Sequence, residues 1–249
     1  MDIFIPSKDE LDERVRDAIR FFWNTRFSQQ NKNAESEAQN QGTRGSVTGG
    51  KQLDGFLDIL KWVLDRNGVS ENEIFTSGRL ELPGFYRPTK QWDLVVVRQQ
   101  PSGEKRLLAA IELKSQVGSF GNNFNNRTEE AMGSSLDILT AYREGAFGVS
   151  APSPWLGYLM VLEDSPKSTA PVGVTEPHFR VFDEFRGTSY AERYELFCNK
   201  LLLERNYTAA ALLMSDKELG PEGSFSEPSN DLTLHGFVRS LVGHIVGSK

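Results

Sequence analysis

Three ionisable residues in the middle of the sequence combine charge and spacing in a way that suggests chemistry. Glu112 and Lys114 are two residues apart, and Asp93 lies nineteen residues before Glu112. Alternate side chains of a β-strand point to the same face, so Glu112 and Lys114 would project together. Two carboxylates suit Mg²⁺, which prefers oxygen ligands, and a lysine can orient or deprotonate an attacking water. With the backbone carbonyl of Leu113 as a candidate third ligand, these residues predict hydrolysis of a phosphodiester.

Glu-x-Lys also occurs on ordinary exposed strands, so the surrounding sequence must show whether these residues form a catalytic site. Residues 107–111, before Glu112, are apolar, as in a sheet centre that is covered on both faces. Asp93 begins a second apolar segment, and the turn-rich segment 99–105 predicts an antiparallel hairpin. This hairpin would bring Asp93 close to Glu112 at one edge of the sheet.

Hydrophobic periodicity predicts an α/β fold with a mixed central β-sheet flanked by helices. A capping box at Ser7–Glu10 begins the first helix, which includes Trp23. Four further helices are predicted. The first begins at Gln52 and ends at Asn67-Gly68, the second begins at Thr128 and is about 18 residues long, and the last two lie near 190–204 and 232–246. Strands are predicted at 73–76, 79–82, 92–97, 107–114 and 155–162. We expect one domain over residues 1–249, with the catalytic core at about 51–165.

Two segments rich in polar residues are predicted to be loops. Residues 24–50 would form a polar loop or arm, either a surface insertion or a segment that a ligand orders. The loop 115–126 precedes the helix from Thr128, and its side chains suit base reading in the DNA major groove. The candidates are Gln116, Asn122, Asn123, Asn125, Asn126 and Arg127. Alternatively, the asparagines satisfy tight turns, and Phe120 and Phe124 anchor the loop to the core.

The distribution of charge is informative where the total is not. A formal net charge of −6 argues at first against nucleic acid, since proteins that bind phosphate are usually basic. The segment 79–127, however, has eight basic and four acidic residues. Within it, Arg87 and Lys90 precede the catalytic strand and suit phosphate positioning, although a solvated loop is the alternative.

Several classes of function are disfavoured by the sequence. There is no apolar run of the length that a membrane span needs, and the first residues do not have the pattern of a signal peptide. The single Cys198 excludes an internal disulfide, which fits a cytoplasmic protein. The motif G-x-x-x-x-G-K-[ST] is absent, so we expect no nucleotide cofactor. The histidines do not form a zinc site or a Ser–His–Asp triad.

The order Asp, then Glu-x-Lys, resembles the PD-(D/E)xK nuclease superfamily, although Trp92 stands where a proline is usual. Longer segments resemble the restriction endonuclease family typified by XhoI. They are GGKQLDGFLDIL (49–60), LPGFYRPTKQWDLVVV (82–97), IELKSQVGSFGNNFNNRTEEA (111–131), AYREG (141–145), EPHFRVF (176–182) and SYAERYELFCNKLLLE (189–204). This resemblance implies a homodimer that recognises CTCGAG and cuts after the first C. It also implies that Asp93 and Glu112 are metal ligands and that Lys114 is the catalytic lysine.

The resemblance also suggests a further acid and leaves rival functions to be tested. Asp54 lies where many such nucleases keep an additional acid, but it could equally lie on a solvated helix face. The sequence thus predicts a type II restriction endonuclease that acts on double-stranded DNA with Mg²⁺. The alternatives are a structure-specific nuclease of repair or phage defence, and a non-catalytic DNA-binding relative with the same fold.

Overall fold

The computed structural model describes residues 3–37 and 51–248 of the chain. The described helices are α1 (Lys8–Glu37), α2 (Asp54–Arg66), α3 (Phe120–Arg143), α4 (Pro166–Thr169), α5 (Tyr190–Leu203) and α6 (Leu234–Gly247). The described strands are β1 (Ile74–Phe75), β2 (Glu81–Pro83), β3 (Thr89–Gln91), β4 (Leu94–Gln99), β5 (Lys105–Gln116), β6 (Trp155–Glu163) and β7 (Ala209–Ser215). None of the described helices has the length and apolar character needed to span a membrane.

A mixed five-stranded sheet forms the centre of the fold, as predicted. Its strand order is β1-β4-β5-β6-β7, and β2 pairs with β3 in a separate two-stranded sheet. The pairs β1–β4 and β4–β5 are antiparallel, whereas β5–β6 and β6–β7 are parallel. The predicted hairpin of β4 and β5 is therefore confirmed. The apolar sequences of β6 and β7 fit strands that are covered by helices on both faces.

Hydrophobic packing on the two faces of the sheet holds these layers together. One cluster joins the sheet to α1, α2 and α6, and the other joins it to α3 and α5. Alternate residues of β6 belong to different clusters, with Leu159 in the first and Met160 in the second. Close approach of α1 and α2 depends on Gly55, where an added Cβ would lie 2.8 Å from the Cα of Ala18.

Helix α1 is longer than the sequence predicted. It begins at the expected capping box, in which the N–H of Glu10 donates to Ser7 Oγ (3.2 Å). It then continues to Glu37, so the interpretation of residues 24–37 as part of a polar arm is wrong. Phe27 stabilises this extension, because it packs against the core and its ring centroid lies 5.8 Å from that of Trp23. The remainder of the predicted arm, 38–50, lies outside the described residues.

Helix α3 also begins earlier than predicted and contains most of the expected loop 115–126. Its first residue is Phe120, whereas the sequence placed the start near Thr128. The aromatic residues anchor it, because Phe120 stacks on Tyr190 (5.9 Å) and Phe124 lies edge-on to Tyr194 (5.0 Å). The asparagine-rich segment is therefore a helix that packs against α5. Strands β3 and β7 were also not predicted from the sequence.

Candidate active site

Asp93, which immediately precedes β4, lies beside Glu112 in the second half of β5. The N–H of Asp93 donates to the carbonyl of Ile111 (3.1 Å), and Asp93 Oδ2 accepts from the N–H of Leu113 (2.8 Å). Beyond this point β5 still pairs with β6, as far as Gln116. Strand β4 therefore stops pairing with β5 at Asp93, and a cleft opens beside residues 113–116 on the side that β4 leaves uncovered.

The Glu112 carboxylate is almost fully buried and is held by three side chains. Lys114 Nζ lies 2.9 Å and Lys90 Nζ 3.1 Å from Glu112 Oε1, and the Tyr207 hydroxyl donates to Oε2 (2.9 Å). The side chain of Glu112 is only 2% exposed, whereas that of Lys114 is 22% exposed. Glu112 and Lys114 thus lie on one face of β5, as the spacing predicted, and Lys114 is the more accessible.

The two carboxylates differ in their electrostatic environment. Burial raises the pKa of Asp93, although the N–H of Leu113 and the charge of Lys114 oppose this effect. Burial alone would also raise the pKa of Glu112, but the cations Lys114 and Lys90 lower it overall. A cation bound to Asp93 would favour the ionised carboxylate and so oppose the effect of burial on its pKa. The raised pKa of Asp93 is therefore consistent with a positively charged ligand at this carboxylate.

The donors around the cleft fit a hard divalent cation. Asp93 Oδ1 accepts no hydrogen bond from the described residues, and the carbonyl of Leu113 points to the same side of β5 as its N–H, toward Asp93. Among those residues, no group of three or more His, Cys, Asp or Glu could hold an ion. A small cation such as Mg²⁺ needs no such group, because it binds through one or two carboxylates and keeps several waters.

A cavity of about 260 Å³ adjoins this cluster. It is lined by Arg26, Gln52, Leu53, Leu57, Asp93, Leu113, Lys114, Ser115, Gln116, Val117, Asn123 and Arg127. Gln116 is buried on the same strand face as Lys114, and its amide nitrogen donates to the carbonyl of Gly118. Asn123 and Arg127 are one helical turn apart on α3 and face the cavity together.

The other DNA-reading candidates of α3 point to solvent. Asn122, Asn125 and Asn126 are exposed on the first two turns of the helix. The predicted base-reading residues thus divide into two sets. One set faces the catalytic cavity, and the other presents amide groups on an open helix surface.

Three predicted site residues do not line the cavity. Lys90 is half-buried, contacts Glu112 and lies over the ring of Trp92 (4.4 Å). Its ammonium group therefore belongs to the cluster around Glu112, and its contact with a phosphate stays a prediction. Arg87 is half-exposed and pairs with Asp137 (2.7 Å). Asp54 does not line the cavity, and its carboxylate interacts with Asp58 and nearby lysines. Gln52, two residues earlier, faces the cavity instead.

The fold and this cluster define an α/β nuclease with a restriction-endonuclease-like core. The family model described as "Restriction endonuclease XhoI" matches residues 32–227. The type II restriction enzyme BstVI of Geobacillus stearothermophilus is 56% identical over 214 residues, which cover 86% of this chain and 95% of the relative. XhoI of Xanthomonas vasicola is 46% identical over 198 residues, which cover 78% and 77%. No solved structure matches the chain.

The chain therefore belongs to the XhoI family of restriction endonucleases. It is an enzyme, a type II site-specific deoxyribonuclease. Restriction endonucleases act on double-stranded DNA, and those of type II generally use a divalent metal ion.

Proposed function

We propose that this enzyme hydrolyses double-stranded DNA at the palindrome CTCGAG, cutting each strand after the first C, and that its metal ion is Mg²⁺. The arrangement of Asp93, Glu112 and Lys114 at the point where the pairing of β4 with β5 stops supports the chemistry most directly. The resemblance to the XhoI family supports the cleavage site. Foreign DNA that enters the cytoplasm would be the substrate.

Asp93, Glu112 and the Leu113 carbonyl would hold the ion, and Lys114 would act on the attacking water. Bound Mg²⁺ would neutralise the phosphate and lower the pKa of a coordinated water. Lys114 reaches the cavity from the same strand face as Glu112, so it can orient that water and stabilise the developing negative charge. The hydrogen bond from Leu113 to Asp93 fixes the carboxylate in place before DNA binds.

A plasmid of known sequence tests this function. With Mg²⁺ we expect discrete fragments whose ends map to C/TCGAG, and no cutting in EDTA. Smeared products, or cutting confined to branched substrates, would instead indicate a structure-specific nuclease.

Two substitutions test the assigned residues. Asp93→Ala and Lys114→Ala should abolish cleavage while the folded protein still binds DNA. Lys217→Ala changes an exposed lysine outside the cavity and serves as the control. Normal cutting by Lys114→Ala would show that the lysine is wrongly assigned, and a wild-type protein that binds DNA without cutting would indicate a non-catalytic relative.

A further inference from the structure

Arg26 reaches the catalytic cavity from α1, an element that contributes none of the residues assigned so far. The extension of α1 beyond Trp23 places it there, and the indole of Trp23 donates to Ser215 Oγ (3.0 Å), which fixes the helix against the sheet. Arg26 is half-buried and lines the cavity opposite α3. Its Nη1 donates to Gln52 Oε1 (3.4 Å).

The cavity has more positive than negative side chains. Its charged lining residues are the cations Arg26, Lys114 and Arg127 and the single acid Asp93. Lys114 and Arg127 each have a carboxylate partner, Glu112 at 2.9 Å and Glu130 at 2.7 Å. In the described parts of the chain, Arg26 has no such partner. The site therefore has an unbalanced guanidinium next to the catalytic strand.

Buried polar atoms in this cavity lack protein partners. Among the described residues, Arg26 Nε, Arg127 Nε and Gln116 Oε1 make no hydrogen bond. Burial lowers the pKa of Arg26, an effect that Glu163 opposes, yet an arginine guanidinium remains charged in proteins. A partly buried charge without a close counter-ion is unfavourable, so Arg26 favours an anion between α1 and α3. The guanidinium of Arg127, which Glu130 pairs on one side, faces the same cavity.

We propose that Arg26 binds a backbone phosphate of the DNA within the catalytic cavity, together with Arg127 and Asn123 from α3. This inference rests on the proposed nuclease function and adds a positioning residue to it. The planar guanidinium presents two parallel N–H groups that match two phosphate oxygens. Because Gln52 accepts from Arg26 and its Nε2 donates to Ser115 Oγ (2.8 Å), the phosphate site is linked to the residue after Lys114.

Binding without metal measures this contact separately from cleavage. The probe is a duplex that contains CTCGAG, titrated in EDTA at several salt concentrations. The slope of log Kobs against log salt is negative, and each lost phosphate contact lowers its magnitude by about 0.9. We expect that decrease for Arg26→Gln, and the wild-type slope for Arg26→Lys and for the exposed control Arg16→Gln. In Mg²⁺, single-turnover cleavage by Arg26→Gln should fall on the order of 10²-fold.

The outcomes separate this inference from the proposed function. If the wild type cuts DNA and Arg26→Gln keeps its salt slope, the phosphate contact is overturned, even if the variant is less stable. If the wild type does not cut but Arg26→Gln has a shallower salt slope, the nuclease function fails and the contact stands. If the wild type neither binds the duplex in EDTA nor cuts it in Mg²⁺, both fail, and if it cuts without binding in EDTA, the phosphate contact is overturned.

Should Arg26→Gln not fold, a scan with neutral phosphates replaces it. Duplexes that each carry one methylphosphonate are titrated with the wild type and with Arg26→Lys. At one position we expect a larger loss of affinity for the wild type, because only its guanidinium makes two hydrogen bonds there. Equal losses at every position would overturn the assignment of Arg26.

Discussion

The position of Glu112 depends on a tyrosine that lies 95 residues further along the chain. The Tyr207 hydroxyl donates to Glu112 Oε2 (2.9 Å) from within the core. Burial and the adjacent carboxylate raise the pKa of Tyr207 well above its usual value, so the hydroxyl stays protonated and can donate. Tyr207 thus fixes one carboxylate oxygen and leaves the other facing the two lysines.

Tyr207→Phe should therefore weaken metal use more than it weakens the fold. Removal of a residue that orients a metal ligand typically reduces metal affinity or activity about 10–100-fold. We expect the Mg²⁺ concentration for half-maximal cleavage to rise within that range, and the free energy of unfolding to fall by about 1 kcal/mol.

Tyr194→Phe is the matched control for this experiment. Its hydroxyl is in the same core cluster and, within the described residues, makes no hydrogen bond. Its removal should leave the Mg²⁺ dependence unchanged. A Tyr207→Phe variant with wild-type Mg²⁺ dependence, whatever its stability, would contradict the positioning role.

The sequence indicated the acidic and basic residues of β5 but not the residues that hold them. Two-residue spacing in an apolar strand places Glu112 and Lys114 on one face wherever the strand lies. Lys90 and Tyr207 reach the same carboxylate from β3 and from the segment before β7. No local pattern predicts these contacts, because they depend on how distant elements pack.

At the scale of elements, Asp137 of α3 holds the turn between β2 and β3. Its carboxylate accepts from the N–H groups of Phe85 (2.7 Å) and Tyr86 (2.8 Å) and from Arg87 Nε (2.7 Å). Burial alone would raise the pKa of Asp137, but these donors lower it below its usual value. Since β3 carries Lys90, this turn also positions the cluster around Glu112.

Asp137→Asn should destabilise the protein in a pH-dependent way. Loss of hydrogen bonds to a charged group costs about 2 kcal/mol, so we expect that decrease in the free energy of unfolding at neutral pH. Because folding lowers the pKa of Asp137, its contribution is complete above the unfolded value of 3.8 and is lost as the pH falls through the folded value.

Denaturant titrations of the wild type and the variant from pH 7 to pH 3 measure this difference. The difference between their free energies of unfolding should shrink as the pH falls below 3.8. Glu129→Gln, an exposed change on the same helix, should shift neither curve. A stability difference between wild type and Asp137→Asn that stays constant with pH would show that the carboxylate is not responsible.

Hydrophobic periodicity predicted most of the helices and strands. The misplaced end of α1 and the misplaced start of α3 have the same physical cause. Asparagine has low helix propensity, so the sequence around Phe120–Asn126 favoured a loop. Packing on α5 outweighs this propensity, and the four-residue spacing of Phe120 and Phe124 was the available signal. Trp23 and Phe27 have the same spacing in α1. Their contacts form only after the chain folds, which is why composition misidentified both segments.

At the scale of the whole molecule, the acidic chain has a cationic active site. The net charge of −6 disfavours general attraction to DNA, whereas the cavity has three cations and one acid. One copy of the described chain has one cluster of Asp93, Glu112 and Lys114. A palindrome offers two equivalent half-sites, one on each strand. If the site is the proposed palindrome, we expect two copies related by a two-fold axis to cut both strands in one encounter.

Mixed dimers test this arrangement. Wild-type and Lys114→Ala chains with different tags are produced together, and protein that carries both tags is purified. Each such dimer has one competent site, so we expect a plasmid with one CTCGAG site to accumulate as a nicked circle. Dimers of the wild type with Lys217→Ala should give linear DNA at the normal rate. Failure to recover protein with both tags, or linear product without a nicked intermediate, would contradict a two-fold dimer that cuts one strand per subunit.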